Sequence, residues 1–262
     1  MNYFDDENKI LECFRETFTQ QVLFPVESEE AAELYLSLQD DERYTDWINS
    51  SGKGDPPPDF YNPNLKMMMD VMRIDDHGHI TPKGKFINPV NMKESKLRRE
   101  IHKSGFMDMF PNVQEVIINA VTDLPQNEDH NYKFYLENFK RTIEKHIGSI
   151  SLYQKNHPGY KIVFFVFDES GGYVLAENLL QAQKQIHERE MTYCYPYLSF
   201  LDKRFISIFA DSAIDYVIWY SPFKHIESDM PELPEVCIYE VGKIKMEDFI
   251  EYPEELIMST EA

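Results

Sequence analysis

The 262-residue sequence lacks the features that mark secreted, membrane-spanning or disulfide-stabilised proteins. It has three cysteines, an odd number, and none of them lies in a CxxC motif or at the spacing of a zinc-binding Cys/His pair. No apolar run approaches the roughly 18 to 20 residues that span a bilayer, and the acidic N-terminus is unlike a signal peptide. These absences predict a soluble, cytoplasmic protein that makes no contact with a membrane.

Common cofactor and nucleophile motifs are also missing. Gly171 and Gly172 lie outside any GxGxxG or GxxxxGK[ST] context, which argues against dinucleotide and P-loop nucleotide binding. No Ser-His-Asp or Cys-His arrangement can be assembled from the sequence. Most of the histidines are scattered singly, and we expect surface or core roles for them: His102, His130, His146, His157, His187 and His225.

Basic residues are few. The 26 lysines and arginines stand against 46 acids, and the net charge of −20 argues against a broad basic face that coats nucleic acid. The acidity is concentrated at the ends, with −11 in residues 1–60 and −9 in residues 227–262. The segment from Lys83 to Lys103 contains seven lysines and arginines but only two acidic residues. This segment is the candidate contact for nucleic acid, although a solvated helix face is the simpler interpretation, whereas the acidic ends suit a basic protein partner.

Apolar periodicity predicts an α/β fold, with a central mixed sheet flanked by helices. Continuous apolar runs predict buried strands at 66–74, 161–167, 215–220 and 235–241. Apolar residues at helical spacing predict helices at 7–21, 28–40, 130–153 and 175–190. Ser28 is the expected N-cap of the second helix.

No internal repeat divides the chain. The clearest break between predicted helices and strands is the loop at 49–58, which contains three consecutive prolines. We expect a single α/β domain over residues 1–225, with a helical N-terminal part at 1–48. An acidic C-terminal extension at 226–262 is expected to pack on this domain or to trail from it.

Asp70 needs a chemical explanation because it interrupts the apolar run at 66–74. An unpaired buried carboxylate costs several kcal/mol, so Asp70 requires a cation, a metal ion or strong hydrogen-bond donors. Asp59 lies eleven residues earlier, after the prolines, and carboxylates from two adjacent strands can converge on one divalent ion. The structural alternatives are a turn or N-cap role for Asp59 and an ion pair of Asp70 with Arg73 or Lys66.

Pro58-Asp59, a gap of ten residues and Asp70-Val71-Met72 resemble the motif of the PD-(D/E)XK nuclease superfamily, the fold of many restriction endonucleases. The resemblance implies a restriction-endonuclease-like arrangement of the α/β sheet. It also implies hydrolase activity with magnesium or manganese, in which the two acids of the motif bind the metal.

The resemblance further implies a helical glutamate that completes the metal site, and Glu33, or less favourably Glu30, is at that position. The motif lysine, which helps to position or activate the attacking water in the family, is replaced by Met72. Lys83 or Lys85 could supply it from a neighbouring hairpin strand, and we select Lys85.

Two functions therefore compete. The first is a metal-dependent, nuclease-like phosphodiesterase acting on DNA or RNA, with Asp59, Asp70 and Lys85 as catalytic residues and Asp59, Asp70 and Glu33 as ligands of magnesium or manganese. Because the motif lysine is absent, a degenerate or partner-dependent form of this enzyme stays open. The second is a non-catalytic acidic interaction protein, such as an inhibitor, an immunity-type protein or a nucleic-acid mimic, that binds a basic protein.

Two further groups of polar residues are candidates for function. Asp168 and Glu169 follow a buried strand, at the end where α/β folds place ligands. A second group has the composition of a metal cluster, but ordinary hairpin-turn chemistry is the favoured interpretation: Asp75, Asp76, His77 and His79.

Overall fold

The computed structural model describes residues 7–17, 21–51, 57–81, 83, 85–105, 109, 130–178, 195–224 and 233–260. The strands among them are Val22–Leu23 (β1), Ile48–Asn49 (β2), Phe60–Asn62 (β3), Met67–Ile74 (β4), His79–Ile80 (β5), Phe86–Ile87 (β6), Lys161–Asp168 (β7), Tyr173–Leu175 (β8), Tyr195–Pro196 (β9), Tyr216–Tyr220 (β10), Val236–Glu240 (β11) and Ile257–Ser259 (β12). The α-helices are Glu7–Glu16 (α1), Glu29–Gln39 (α2), Asp41–Tyr44 (α3), Pro89–Lys103 (α4), Tyr132–Ile147 (α5), Ile150–Asn156 (α6) and Lys203–Ile206 (α7). Short 3-10 helices lie at Ser199–Leu201, Val241–Lys243, Met246–Asp248 and Glu254–Leu256.

The main sheet has seven strands in the order β1-β11-β10-β7-β4-β3-β2. Its three central strands, β4, β7 and β10, are parallel to one another, and antiparallel strands flank them on both sides. The other described strands form two smaller sheets, β12-β8-β9 and β5-β6. The predicted α/β class with a central mixed sheet and flanking helices is therefore confirmed.

Helices cover both faces of the main sheet, and the central strands are consequently apolar on both sides. In β4, Met69 and Val71 face the core that contains α1 and α2. Met68 and Met72 face the opposite core, which contains α5, α6 and α7. Because side chains alternate along a strand, Asp70 projects toward α5 and α6.

The four predicted strands are present with small shifts at their ends, as β4, β7, β10 and β11. Ser28 caps α2 as expected, since its Oγ accepts a hydrogen bond from the Ala31 amide at 3.0 Å. The long helix expected at 130–153 is instead two helices, α5 and α6, with Gly148 as the C-cap of the first.

The helix expected from residue 175 does not begin there, because Tyr173–Leu175 is the strand β8, paired with β12 and β9. Residues 179–190 of that expected helix lie outside the described residues.

The two ends of the chain contribute to the main sheet. Strand β11 belongs to the segment expected as a C-terminal extension, and it lies between β1 and β10. Val22 and Leu23 of β1, within the part expected to be helical, pair in parallel with Val236 and Cys237. The described acidic ends are therefore joined to each other through the sheet.

Candidate functional site

Asp59 and Asp70 face each other across the β3–β4 pair. Phe60 pairs with Met69 in this antiparallel register, so the residue before Phe60 and the residue after Met69 are directly opposite. Opposite residues of an antiparallel pair project from the same face of the sheet. Asp59 Oδ2 also accepts a hydrogen bond from the Val71 amide at 2.8 Å. The structure thus brings together the two carboxylates that the sequence pairs.

Asp70 is buried on the sheet face that α5 and α6 cover, and its partners come from these helices. Its Oδ2 accepts a hydrogen bond from the Tyr153 hydroxyl at 2.5 Å and lies in hydrogen-bond contact with Nδ1 of His146. His146 is thus the charged partner of Asp70 when its ring is protonated, in place of the alternatives Arg73 and Lys66.

The surroundings of Asp59 change its pKa. Burial, followed by the negative charge of Asp70, raises the pKa of Asp59 to about 8, and the hydrogen bond from Val71 offsets only part of this rise. Near neutral pH Asp59 therefore keeps its proton beside Asp70. A divalent cation between the two carboxyl groups would replace that proton and allow both to ionise.

The helical acids expected to complete a metal site lie on the other face of the sheet. Glu33 is on α2, where it is half exposed and pairs with Arg43 at 3.2 Å. Glu30, on the same helix, pairs with Lys161 at 2.6 Å. Because the sheet separates α2 from the side chain of Asp70, the structure does not bring either glutamate to the carboxylate pair.

Lys85 is not brought to the carboxylate pair either. It is exposed in the loop between β5 and β6, where its amide donates to the Thr81 hydroxyl. This hairpin packs against α5, where the ring centroids of Phe86 and Phe134 are 5.7 Å apart. Phe134 is twelve residues before His146, which is about 18 Å along the helix. Because His146 contacts Asp70, Lys85 lies at the opposite end of α5 from Asp70.

A second constellation forms beyond the carboxyl end of β4. Asp76, His77 and His130 each present one potential ligand atom, and these atoms lie within 4.8 Å of one another. The two imidazole rings are 4.6 Å apart between centroids. Asp76 is completely buried, and its Oδ2 accepts hydrogen bonds from the Tyr173 hydroxyl at 2.9 Å and from the Gly171 amide at 3.3 Å.

The charge of Asp76 is stabilised by its histidine neighbours. Oδ1 of Asp76 lies 3.0 Å from Nδ1 of His130. Burial alone would raise the pKa of Asp76, but the hydrogen bond and charge of His130, with the charge of His77, outweigh it, and the pKa is lowered. The group therefore contains an anchored carboxylate and two imidazoles, a donor set that can hold a metal ion.

Asp168 occupies the carboxyl end of β7, as expected, but it is enclosed. Its carboxylate accepts hydrogen bonds from the Tyr135 hydroxyl at 2.5 Å, the Trp219 indole at 2.8 Å and the Ser170 hydroxyl at 2.6 Å. Nζ of Lys224 lies 3.2 Å away and is also buried. These contacts favour a structural role for Asp168.

Glu169, the other acid predicted at this strand end, pairs with Arg73. The two contacts between their side chains measure 2.6 and 2.7 Å. Burial is the main reason why the pKa of Glu169 rises to about 7, and the charge of Arg73 opposes the rise.

The basic segment forms a helix with an exposed basic side. Lys93, Lys96, Arg99 and Lys103 are exposed on α4. Their three- and four-residue spacing places them on one side of the helix. Glu94 turns inward and is buried.

Comparison of the chain with models of known protein families, with curated proteins and with solved structures finds no match. Among the described residues, no helix has the length and apolar character needed to cross a membrane.

Sequence reasoning missed the histidines that complete both constellations. His146 is 76 residues from Asp70, and His130 is 54 residues from Asp76, so their convergence depends on the tertiary fold. One signal was present for the first, because His146 lies seven residues after Phe139 and therefore on the buried face of α5. For His130 the sequence holds no comparable signal.

Proposed function

We propose that the protein is a metal-dependent, nuclease-like phosphodiesterase, in which Asp59 and Asp70 hold magnesium or manganese. The observation that carries this proposal is the pair of carboxyl groups facing each other across β3 and β4, with the pKa of Asp59 raised to about 8 beside Asp70. Hard divalent cations prefer such oxygen ligands.

The donor set fits magnesium even without a helical glutamate. Magnesium is commonly held by one or two carboxylates, with waters and substrate phosphates in the remaining positions. When bound, the ion would polarise a phosphoryl oxygen and lower the pKa of a coordinated water. His146 and Tyr153 contact Asp70 and would fix the orientation of its carboxylate.

The exposed basic side of α4 supports a polyanionic substrate. Lys93, Lys96, Arg99 and Lys103 offer a short row of cations for phosphates, while the net charge of −20 opposes extended non-specific binding. This balance suits a DNA or RNA substrate held over a short segment, or one presented by a partner protein.

A non-catalytic acidic interaction protein is the second candidate, and Met72 is the observation that favours it. Met72 stands where the related motif has lysine, and it is buried in the core that contains α5 and α6. Without a lysine there, metal binding can persist while hydrolysis is lost. The acidic ends would then dock on a basic protein.

The decisive experiment is calorimetric titration of manganese and magnesium into the wild type, Asp59→Asn, Asp70→Asn and Glu33→Gln. Circular dichroism first establishes that each variant folds. We expect wild-type binding that is weakened at least about tenfold in both asparagine variants. Glu33→Gln, which alters an acid on the other face of the sheet, is the matched control and should bind as the wild type does.

Cleavage of labelled single- and double-stranded DNA and RNA is then measured with manganese. Cleavage that is lost in folded Asp70→Asn and retained in Glu33→Gln would support the phosphodiesterase. Metal binding without cleavage, together with capture of a basic protein, would support the interaction protein. If folded wild-type protein binds neither ion, both the metal site and the phosphodiesterase are excluded.

A further inference from the structure

We infer that Asp76, His77 and His130 form a second metal site, one that takes a divalent transition-metal ion such as zinc. The three ligand atoms lie within 4.8 Å of one another, close enough to surround a single ion. This site lies beyond the carboxyl end of β4 and shares no residue with the Asp59/Asp70 pair, so the inference does not rest on the proposed function.

Asp76 is fixed before any ion binds. Its Oδ2 is held by the Tyr173 hydroxyl and the Gly171 amide, both neutral donors, whereas Oδ1 faces the ring of His130. A completely buried carboxylate requires a compensating positive charge. An ion placed between Oδ1 and the two imidazoles would supply that charge in place of the protonated histidine rings.

The backbone also holds the two histidines in place. His130 adopts a left-handed conformation with φ of 52°, which is uncommon for residues other than glycine. Asn131 then caps α5, because its Oδ1 accepts a hydrogen bond from the Lys133 amide at 2.9 Å. The strained residue thus lies immediately before a fixed helix start, with its ring against Asp76.

Gly78 brings the loop of His77 against that same helix. A Cβ atom at Gly78 would come within 2.7 Å of both Phe134 on α5 and Phe86 on β6. Only glycine permits this approach without displacement of an aromatic ring. The close packing positions His77 beside the start of α5, and therefore beside His130.

The chemistry of the ligands selects the class of metal. Two imidazole nitrogens and one carboxylate oxygen suit zinc and its first-row neighbours better than magnesium or calcium, which prefer oxygen throughout. Three protein ligands leave a fourth position for water or another small ligand. His130 is 23% exposed, so that position can face solvent.

The test measures zinc binding to the full chain by calorimetry, with cobalt as a spectroscopic substitute. The variants are His77→Gln and His130→Asn, since asparagine tolerates the left-handed conformation better than most residues. His157→Gln is the matched control, because His157 is another partly buried histidine, and its ring packs at a tilt against Tyr61 with the centroids 4.3 Å apart. Circular dichroism establishes that all three variants fold.

We expect one zinc ion per chain at this site, binding at least about tenfold weaker in both cluster variants and unchanged in the control. Saturating zinc should raise the wild-type Tm by about 5 °C or more, and the rise should be lost in His77→Gln and His130→Asn. Cobalt should give the visible absorption of a nitrogen-ligated, low-coordinate ion. The inference is overturned if the wild type binds no zinc, or if both folded cluster variants bind it as tightly as the control.

Discussion

Lys224 and Asp168 form a buried ion pair at the carboxyl end of the central strand β7, with Nζ 3.2 Å from Oδ2. Ser170 contributes to both partners, since its hydroxyl donates to Asp168 at 2.6 Å and accepts from Lys224 at 2.7 Å. With the hydroxyl of Tyr135 and the indole of Trp219, these groups satisfy one another inside the protein. The ion pair therefore ties β7 to the segment after β10 and to α5.

Replacement of Asp168 by asparagine should be strongly destabilising. The change leaves the ammonium of Lys224 buried without its counter-charge, which costs about 3–5 kcal/mol. Urea unfolding of the wild type and Asp168→Asn measures the difference. The double variant Asp168→Asn/Lys224→Met removes both charges. Its loss of stability should be smaller than the sum of the losses in the single variants Asp168→Asn and Lys224→Met. Strict additivity would contradict an ion pair of this strength.

Asp59 should make the stability of the protein fall as the pH rises. Its pKa is about 8 in the folded state and about 3.8 when unfolded, so between these values the folded state holds a proton that the unfolded state has released. Stability falls with pH wherever the folded state binds more protons. Asp59→Asn lacks this proton and should lose that part of the slope, about 1.4 kcal/mol per pH unit.

Urea unfolding of both proteins at about pH 5 and about pH 7 tests this prediction, and the stability of Asp59→Asn relative to the wild type should increase at the higher pH. Parallel pH dependences would contradict the raised pKa. Manganese should flatten the wild-type slope, because the ion competes with the proton of Asp59.

A lysine at position 72 should increase cleavage if the phosphodiesterase proposal is correct. Met72 lies on the same strand face as Asp70, about 7 Å along β4, and a lysine side chain is long enough to reach that carboxylate. We expect Met72→Lys to raise manganese-dependent cleavage by about tenfold or more. Met68→Lys is the control at the same distance on the other side of Asp70, and it should not gain activity. Equal rates in both folded variants would contradict the prediction.

The start of α2 should tolerate asparagine at Ser28 but not aspartate. Ser28 Oγ accepts from the Ala31 amide and also donates to the carboxylate of Glu240. Asparagine can fill both roles, whereas aspartate, ordinarily a good N-cap, would face a like charge. Loss of the cap in Ser28→Ala should cost about 1 kcal/mol. In urea unfolding, Ser28→Asp should be less stable than Ser28→Asn, and the reverse order would contradict this arrangement.

The parts of the fold that the sequence predicted are those with a strong local signal. The strands β4, β7, β10 and β11 are apolar on both faces because helices cover both sides of the sheet, and this leaves a continuous apolar run. The break between α5 and α6 was missed because the apolar period continues through Gly148. Strand β8 was missed because three residues are too short a run to show a period.

The pairing of residues in the candidate sites was likewise predicted correctly only where they are near one another in the sequence. Asp59 and Asp70 are near in sequence and lie on hairpin-connected strands, so their pairing was accessible to spacing arguments. Glu33 and Lys85 were placed by resemblance, and spacing along the chain gave no information about which sheet face α2 covers or where the β5–β6 hairpin packs. His130 and Asp76 are 54 residues apart in the sequence, so spacing gave no indication of their contact.

The position of β11 determines when the sheet can be completed during synthesis. Every residue of β10 is buried, and β11 covers one of its edges while also providing the partner for β1. Until residues 236–240 leave the ribosome, β10 has an open edge, and β1, which is made earlier, has no β11 to pair with. A ribosome that stalls before this point would release a product with a ready template for aggregation.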